Sequence, residues 1–250
     1  RDLMGDELHR YRMVYADQRA GGRSYAEGAF DSGTLAQDIG TVLDALRLER
    51  ATLLAHGYGA IPALRFSIEQ PEAIERLVLV NPWFSMPLLA RTLHRRAAQL
   101  VGMPEAAIAP EAKLENADGY DPVALSEQAF GWLPPKQLFD ELEFPDPSSR
   151  MRLEHVDAVA QFGPQVNVAP DDMWTADLLA RLGEVNAKVV TLFSVRDGTA
   201  YPDQAEAGLS RLPHAQVALL EGGHYPWLDD EDTFSALLHQ AIEAPPATIQ

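Results

Sequence analysis

Ala51-Thr-Leu-Leu-Ala-His-Gly-Tyr-Gly-Ala60 reads as an apolar strand that runs into a tight turn and out again into a helix. Small residues, Ala55 and Gly59, stand two places before and two places after Gly57. That spacing is the layout of a nucleophile elbow, small-x-nucleophile-x-small, in which the backbone bends so sharply that neighbours two residues away must be small. A serine is expected at the centre, and this chain carries Gly57 there. Scaffold and nucleophile therefore have to be read separately.

Outward from the elbow, strand and helix signals alternate. Arg12-Met-Val-Tyr-Ala16 reads as a short buried strand. Between Thr34 and Leu48, the apolar residues Leu35, Ile39, Val42, Leu43 and Leu46 fall on one face of a helix. Ala60 to Glu69 forms the helix after the elbow, and Pro62 fits its first turn, where N–H groups lack partners anyway. Arg76-Leu-Val-Leu-Val80 is a further strand, stopped by Asn81-Pro82. Lys188–Ser194 and Gln216–Leu220 are two more, and Thr233–Glu243 is the last helix. Such alternation predicts an α/β fold: a mostly parallel sheet flanked by helices. Between Asn81 and about Ala187 the alternation stops and prolines recur, which predicts short helices separated by proline stops. The expected organisation is an α/β core of residues 1–85 and 186–250, with residues 86–185 inserted as a helical cap.

Composition narrows the partners. The 250 residues carry 20 Lys and Arg against 37 Asp and Glu, a net charge of −17. A chain this acidic is repelled by phosphate backbones and anionic lipid, so nucleic acid and membrane surfaces are poor partners. No apolar run approaches the roughly 20 residues that span a bilayer, and a soluble, cytoplasmic protein is expected. The absence of cysteine excludes disulfides, thiolate zinc sites and thiol nucleophiles.

A serine hydrolase needs a base beside its nucleophile and an acid to orient that base. In the elbow-bearing sheet the chain order is nucleophile, acid, histidine. Asp197 follows the strand ending near Ser194, and His224 follows the strand ending at Leu220, behind the pair Gly222-Gly223. Both fall at the C-terminal edge of the sheet, where open α/β sheets bind ligands. Alone, an Asp after a strand is usually a turn or cap residue. In this order, with the elbow, the three are far less common by accident.

These stretches together resemble the proline iminopeptidase-like branch of the α/β-hydrolase superfamily. Asp17-Gln-Arg-Ala-Gly-Gly-Arg-Ser24 is similar to that branch's Asp-Gln-Arg-Gly-x-Gly-x-Ser turn, with Ala20 for the first Gly. Ala55-His-Gly-Tyr-Gly59 matches Gly-His-Ser-Tyr-Gly, departing at Ala55 and Gly57. Arg196-Asp-Gly198 resembles the acid loop and Gly223-His-Tyr-Pro226 the histidine loop. The match covers about residues 11–82 and 186–243. It implies an α/β-hydrolase fold with a cap, and hydrolysis of an ester, an amide or a short peptide, aminopeptidase-type chemistry included, without cofactor or metal. His224 would be general base then acid, Asp197 its orienting acid, and the Tyr58 amide an oxyanion donor.

Two departures limit that implication. Without an oxygen at Gly57 no acyl-enzyme can form, and loss of a triad member costs several orders of magnitude in rate. The expectation is an inactive scaffold, with the intact loops around Asp197 and His224 favouring an engineered knockout over a natural non-catalytic homologue, in which an abandoned site would have drifted. Second, the family's His-Gly-Gly-Pro-Gly segment, which supplies part of the oxyanion hole from a strand between those of Met13 and Leu53, has no counterpart here. A gap inside a sheet strands two rows of backbone donors and acceptors. The missing piece is expected on a companion N-terminal polypeptide or upstream of Arg1.

Other residues carry two readings each. Trp83, Phe84, Phe130, Trp132, Phe162 and Trp174 could line an apolar substrate pocket or simply pack the cap. Tyr225 and Trp227 flank His224 and could border the site. His56 reads as a packing or hydrogen-bonding residue, Asp17 and Arg19 as ties for their turn, and the run Asp229 to Asp232 as a helix start. His9, His94, His155, His214 and His239 are too scattered for a metal site. Against the inactivated hydrolase stand a non-catalytic homologue that binds a ligand or partner, and a lyase or isomerase that uses His224 as base alone.

Overall fold

The computed structural model describes residues 8–25, 28–104, 121–159, 168–212 and 214–243. Four strands, β1 (Ala51–His56), β2 (Ile74–Val80), β3 (Val189–Ser194) and β4 (Gln216–Leu220), form one sheet in the order β1-β2-β3-β4. Every pairing is parallel. A parallel sheet is covered on both faces, which is why β2 and β3 bury nearly all their residues and read as unbroken apolar runs.

Two helices before β2, α1 (Ser32–Leu46) and α2 (Ala60–Glu69), pack against each other. Asp31 starts α1: its carboxylate accepts the Thr34 amide at 2.7 Å while the Thr34 hydroxyl lies over the Asp31 backbone, a capping box. On the other face α9 (Glu231–Glu243) lays Phe234, Leu238 and Ala241 against Val78, Val80, Val190 and Leu192. Asp230 caps it, accepting from the Thr233 amide at 3.0 Å. The acidic run thus begins a helix, as its position after β4 implies.

Between β2 and β3 lie α3 (Met86–Leu100), α4 (Pro122–Trp132), α5 (Pro135–Glu143) and α6 (Pro147–Val159). Four of the prolines expected as stops sit at helix starts instead: Pro87, Pro122, Pro135 and Pro147 each occupy the first or second position. A first-turn N–H has no intrahelical acceptor, so proline loses nothing there. Two short helices, α7 (Asp203–Leu209) and α8 (Pro226–Asp229), complete the fold around β4. No described helix is long and apolar enough to cross a membrane.

One expected element is corrected. Arg12–Ala16 is not a strand, and Val14 and Tyr15 are exposed. Apolar patterning reports what a segment can bury, but a strand also needs a ladder partner for its N–H and C=O groups. Residues 12–16 have none among the described residues. Correspondingly, β1 is an edge among the described strands, with Leu54 42% exposed.

Candidate active site

At the end of β1 the chain turns through a single 3-10 turn, Gly57–Gly59, directly into α2. Gly57 has φ +52°, a left-handed conformation that costs glycine little. The turn brings the two flanking positions face to face: a Cβ built on Gly59 would lie 3.9 Å from the Ala55 Cβ, in ordinary van der Waals contact. A Cβ built on Gly57 would lie 2.9 Å from His224 Nε2 and 3.3 Å from its Cε1. The imidazole therefore rests on the elbow at the point where a side chain would start.

The loops after β3 and β4 bring the acid and base together. His224 Nδ1 donates to Asp197 Oδ2 at 2.7 Å, and both residues are buried. Asp197 Oδ1 accepts from the Thr199 amide at 2.8 Å and the Thr199 hydroxyl at 2.7 Å. Burial by itself would raise the Asp197 carboxyl, but the imidazole and the Thr199 donors outweigh it and hold the group below the usual carboxylate range. Burial would likewise lower His224; the Asp197 and Glu143 carboxylates overcome that and raise it. With Nδ1 committed to Asp197, Nε2 is the atom that faces Gly57.

A buried amide fixes the histidine loop. The Asn81 side-chain nitrogen donates to Ser194 Oγ at 3.0 Å, the Gly223 carbonyl at 3.1 Å and the His224 carbonyl at 2.9 Å. Its Oδ1 accepts the Ser194 amide at 2.7 Å. His56 Nε2–H donates to the same His224 carbonyl at 2.8 Å. Burial first, then the neighbouring His224, pushes His56 down to about 3, so it stays neutral and acts as a donor rather than a base. Asp229 Oδ2 accepts the Gly223 amide at 2.7 Å.

The helices between β2 and β3 meet this array through α5. The Leu142 carbonyl accepts the Gly198 amide at 2.8 Å, and the Glu143 carbonyl accepts the His224 amide at 2.8 Å. These two bonds place the Glu143 carboxylate 4.0 Å from His224 Nε2, with 9% of its side chain exposed. Burial pushes that carboxyl up to about 7.

The aromatic candidates divide. Trp83 stacks on His224 at 5.2 Å between ring centroids, and its Nε1 donates to the Thr199 hydroxyl at 3.1 Å. Phe139 of α5 links Trp83 to Phe130, and Phe130 meets Trp174 at 5.9 Å. Tyr225 stands edge-on to His224 at 5.2 Å and stacks on Phe144. Phe84 is a correction: it is fully buried, packs on Phe193 and leaves no room for a Cβ on Gly208, so it is core rather than pocket. Trp132 leans on His94 instead of the site, and Phe162 lies outside the described residues. Tyr58 follows Gly57, but its ring packs against Ala20, Phe30 and Leu35, and its buried hydroxyl has no hydrogen-bond partner. Arg19 ties its turn to α1 through Asp38 at 2.8 Å. Two cavities, of about 420 Å³ beside Met151 and His155 of α6 and about 340 Å³ beside Asp31 and Asp172, lie elsewhere; His224 lines neither.

Thr199, Asn81 and Glu143 join the site without having stood out in the sequence. Thr199 has a local signal, since an Asp followed two residues later by Thr forms a side-chain-to-backbone turn. Asn81 reads only as a strand stop, and Glu143 as one more helical acid.

Known proteins share this architecture. The sequence profile of the Alpha/beta hydrolase family matches residues 8–237. A protein of Agrobacterium fabrum named "Putative carbamate hydrolase RutD" is 25% identical over 239 residues, 93% of this chain and 83% of its own length. The crystal structure of a proline iminopeptidase-related protein from Thermus thermophilus superposes with a TM-score of 0.75 at 32% identity, over 97% of this chain and 82% of that one. A hydrolase from Pseudomonas aeruginosa gives a TM-score of 0.67 at 22% identity, over 97% and 84%.

Proposed function

This chain belongs to the alpha/beta hydrolase family, and from that premise we propose that it is a serine-hydrolase scaffold of the proline iminopeptidase-like branch whose acyl-enzyme route is closed at Gly57. The substrate class is an ester or amide carbonyl, short peptides included, and the carbamate of the RutD relatives' name has the same trigonal centre. One observation carries the reading: the Asp197–His224 pair is bonded at 2.7 Å with Nε2 over a glycine at the elbow. In the parent arrangement His224 would deprotonate the elbow hydroxyl and then protonate the leaving group, while Asp197 fixes the tautomer and stabilises the imidazolium. The Tyr58 amide would meet the oxyanion. Without the hydroxyl, the protein has no oxygen at the elbow to bond to the substrate carbon. Intact-mass measurement after exposure to a fluorophosphonate tests this directly. The chain as it stands should gain no adduct, and a labelled protein would overturn the reading.

A second reading, a non-catalytic member that binds a ligand or partner, is favoured by how closely the imidazole sits on Gly57, as if the site had repacked around the missing side chain. Ligand affinity with no turnover in any restored variant distinguishes it.

A companion N-terminal polypeptide that adds a strand along β1 belongs to the same proposal. What supports it is the edge position of β1 among the described strands, with Leu54 exposed and Ala55 the one buried residue of the strand. In the complete assembly the β1 amides that face away from β2 should exchange slowly, and native mass spectrometry should record a second polypeptide. A folded species with the mass of this chain alone, its β1 amides already protected, would sink the companion.

A further inference from the structure

The site holds a second carboxylate that the triad reading does not use. Glu143 is 7% exposed, reaches to 4.0 Å from His224 Nε2, and comes from an inserted helix whose last two carbonyls are bonded to the acid and histidine loops. A carboxyl group is costly to bury, and the basic group that meets this one is the His224 imidazole. We propose that Glu143 is a catalytic acid that works with His224 in a single-displacement hydrolysis, in which water replaces the missing elbow hydroxyl and Glu143 protonates the leaving group. The proposal rests on the closed acyl-enzyme route argued above.

His224 Nε2 takes a proton from water as the water oxygen bonds to the substrate's carbonyl carbon, and the C=O electron pair moves to oxygen. The tetrahedral intermediate collapses, the bond to the leaving oxygen breaks, and that oxygen receives the Glu143 proton. The imidazolium Nε2 returns a proton to Glu143 across the 4.0 Å gap. One water is consumed, one acid and one alcohol are released, and both side chains regain their starting forms. No covalent adduct with the protein occurs at any stage.

The charge environment suits the two roles. Glu143 faces Asp197 and His224 from the core, Asp140 from its own helix and Arg150 from α6; burial, reinforced by the Asp197 and Asp140 charges, outweighs His224 and Arg150, so it keeps its proton up to about 7. The competent form needs neutral His224 and protonated Glu143. Activity should therefore fall on the acid side as His224 is protonated and on the alkaline side as Glu143 ionises, a bell whose two limbs belong to the coupled pair.

The experiment compares the present chain with Glu143→Gln and His224→Gln on phenyl acetate and 4-nitrophenyl acetate over a pH series, with circular dichroism to confirm folding. Turnover without a burst, abolished in His224→Gln, is expected in the present chain. Glu143→Gln should lower the rate on phenyl acetate by about 100-fold, the usual scale of general acid–base help. The loss should be smaller on 4-nitrophenyl acetate, whose leaving group needs less protonation, and the alkaline limb should vanish. No turnover above the His224→Gln background would overturn this role and leave the closed acyl-enzyme route standing. A burst with covalent labelling would overturn that route instead. Turnover that Glu143→Gln leaves unchanged, or a loss confined to KM on both esters, would also refute the acid role.

Discussion

Gly57→Ser is expected to open covalent chemistry in this site, raising ester turnover by roughly 1000-fold or more and making the protein reactive to fluorophosphonates. The partner groups already stand in place: His224 is polarised by Asp197 at 2.7 Å, and Asp197 is braced by the Thr199 amide and hydroxyl. What opposes the change is steric. A serine Cβ would begin 2.9 Å from Nε2, closer than real contacts allow, so the ring must retreat. It retreats against its Trp83 stack, with the Asp197 bond as the pivot. The left-handed φ of +52° adds backbone strain of about 1–3 kcal/mol for any residue with a Cβ. The variant should therefore be less stable than the parent while gaining activity. Gly57→Ala serves as the control, since it carries the same strain without the oxygen. If the serine variant melts like the alanine one but stays unlabelled and inactive, the hydrolase reading fails and the binding reading gains.

That experiment works on residues the sequence could name, and the reason is geometric. An elbow forces small neighbours by contact over two residues, so it leaves a local mark. Asp197 and His224 are legible because parallel strands deliver their loops to one edge, and chain order alone then groups them. β2 and β3 are legible because burial on both faces removes every polar alternation. The failures have the opposite cause. Arg12–Ala16 has the pattern of a strand, but pairing depends on a neighbouring strand, and none lies beside it among the described residues. Phe84 and Trp132 have the chemistry of pocket walls, but whether an aromatic faces a site is decided by which helix it packs on. Glu143 approaches His224 because two carbonyls at the end of α5 bond to Gly198 and His224, contacts made across 56 and 81 residues of chain.

Asn81 is the plainest case of a residue whose role is tertiary, and replacing it should cost the fold more than any other single polar change near the site. Its amide gathers the end of β2, the end of β3 and the histidine loop, donating to Ser194 Oγ and to the carbonyls of Gly223 and His224, and accepting from the Ser194 amide. All of these groups are out of water, with Asn81 and Ser194 fully buried. A buried group left without its partner costs about 1–3 kcal/mol, so Asn81→Ala, which orphans at least two of them, should lose roughly 4 kcal/mol in chemical denaturation. The φ of +43° at this position adds to the loss, because alanine tolerates it less well than asparagine. The His224 carbonyl keeps the His56 donor at 2.8 Å, so the loss falls mainly on the Gly223 carbonyl and the Ser194 amide. Asn81→Asp separates polarity from hydrogen bonding. It keeps the acceptor for the Ser194 amide but points an ionised oxygen at two carbonyls, so at neutral pH it should be no more stable than the alanine variant. Recovery of stability below the carboxylate range, where the aspartate is protonated and can donate again, would identify the donor bonds as the source of the effect. If both variants unfold within about 1 kcal/mol of the parent, Asn81 does not hold the histidine loop, and the position of His224 must be set from the α5 side alone.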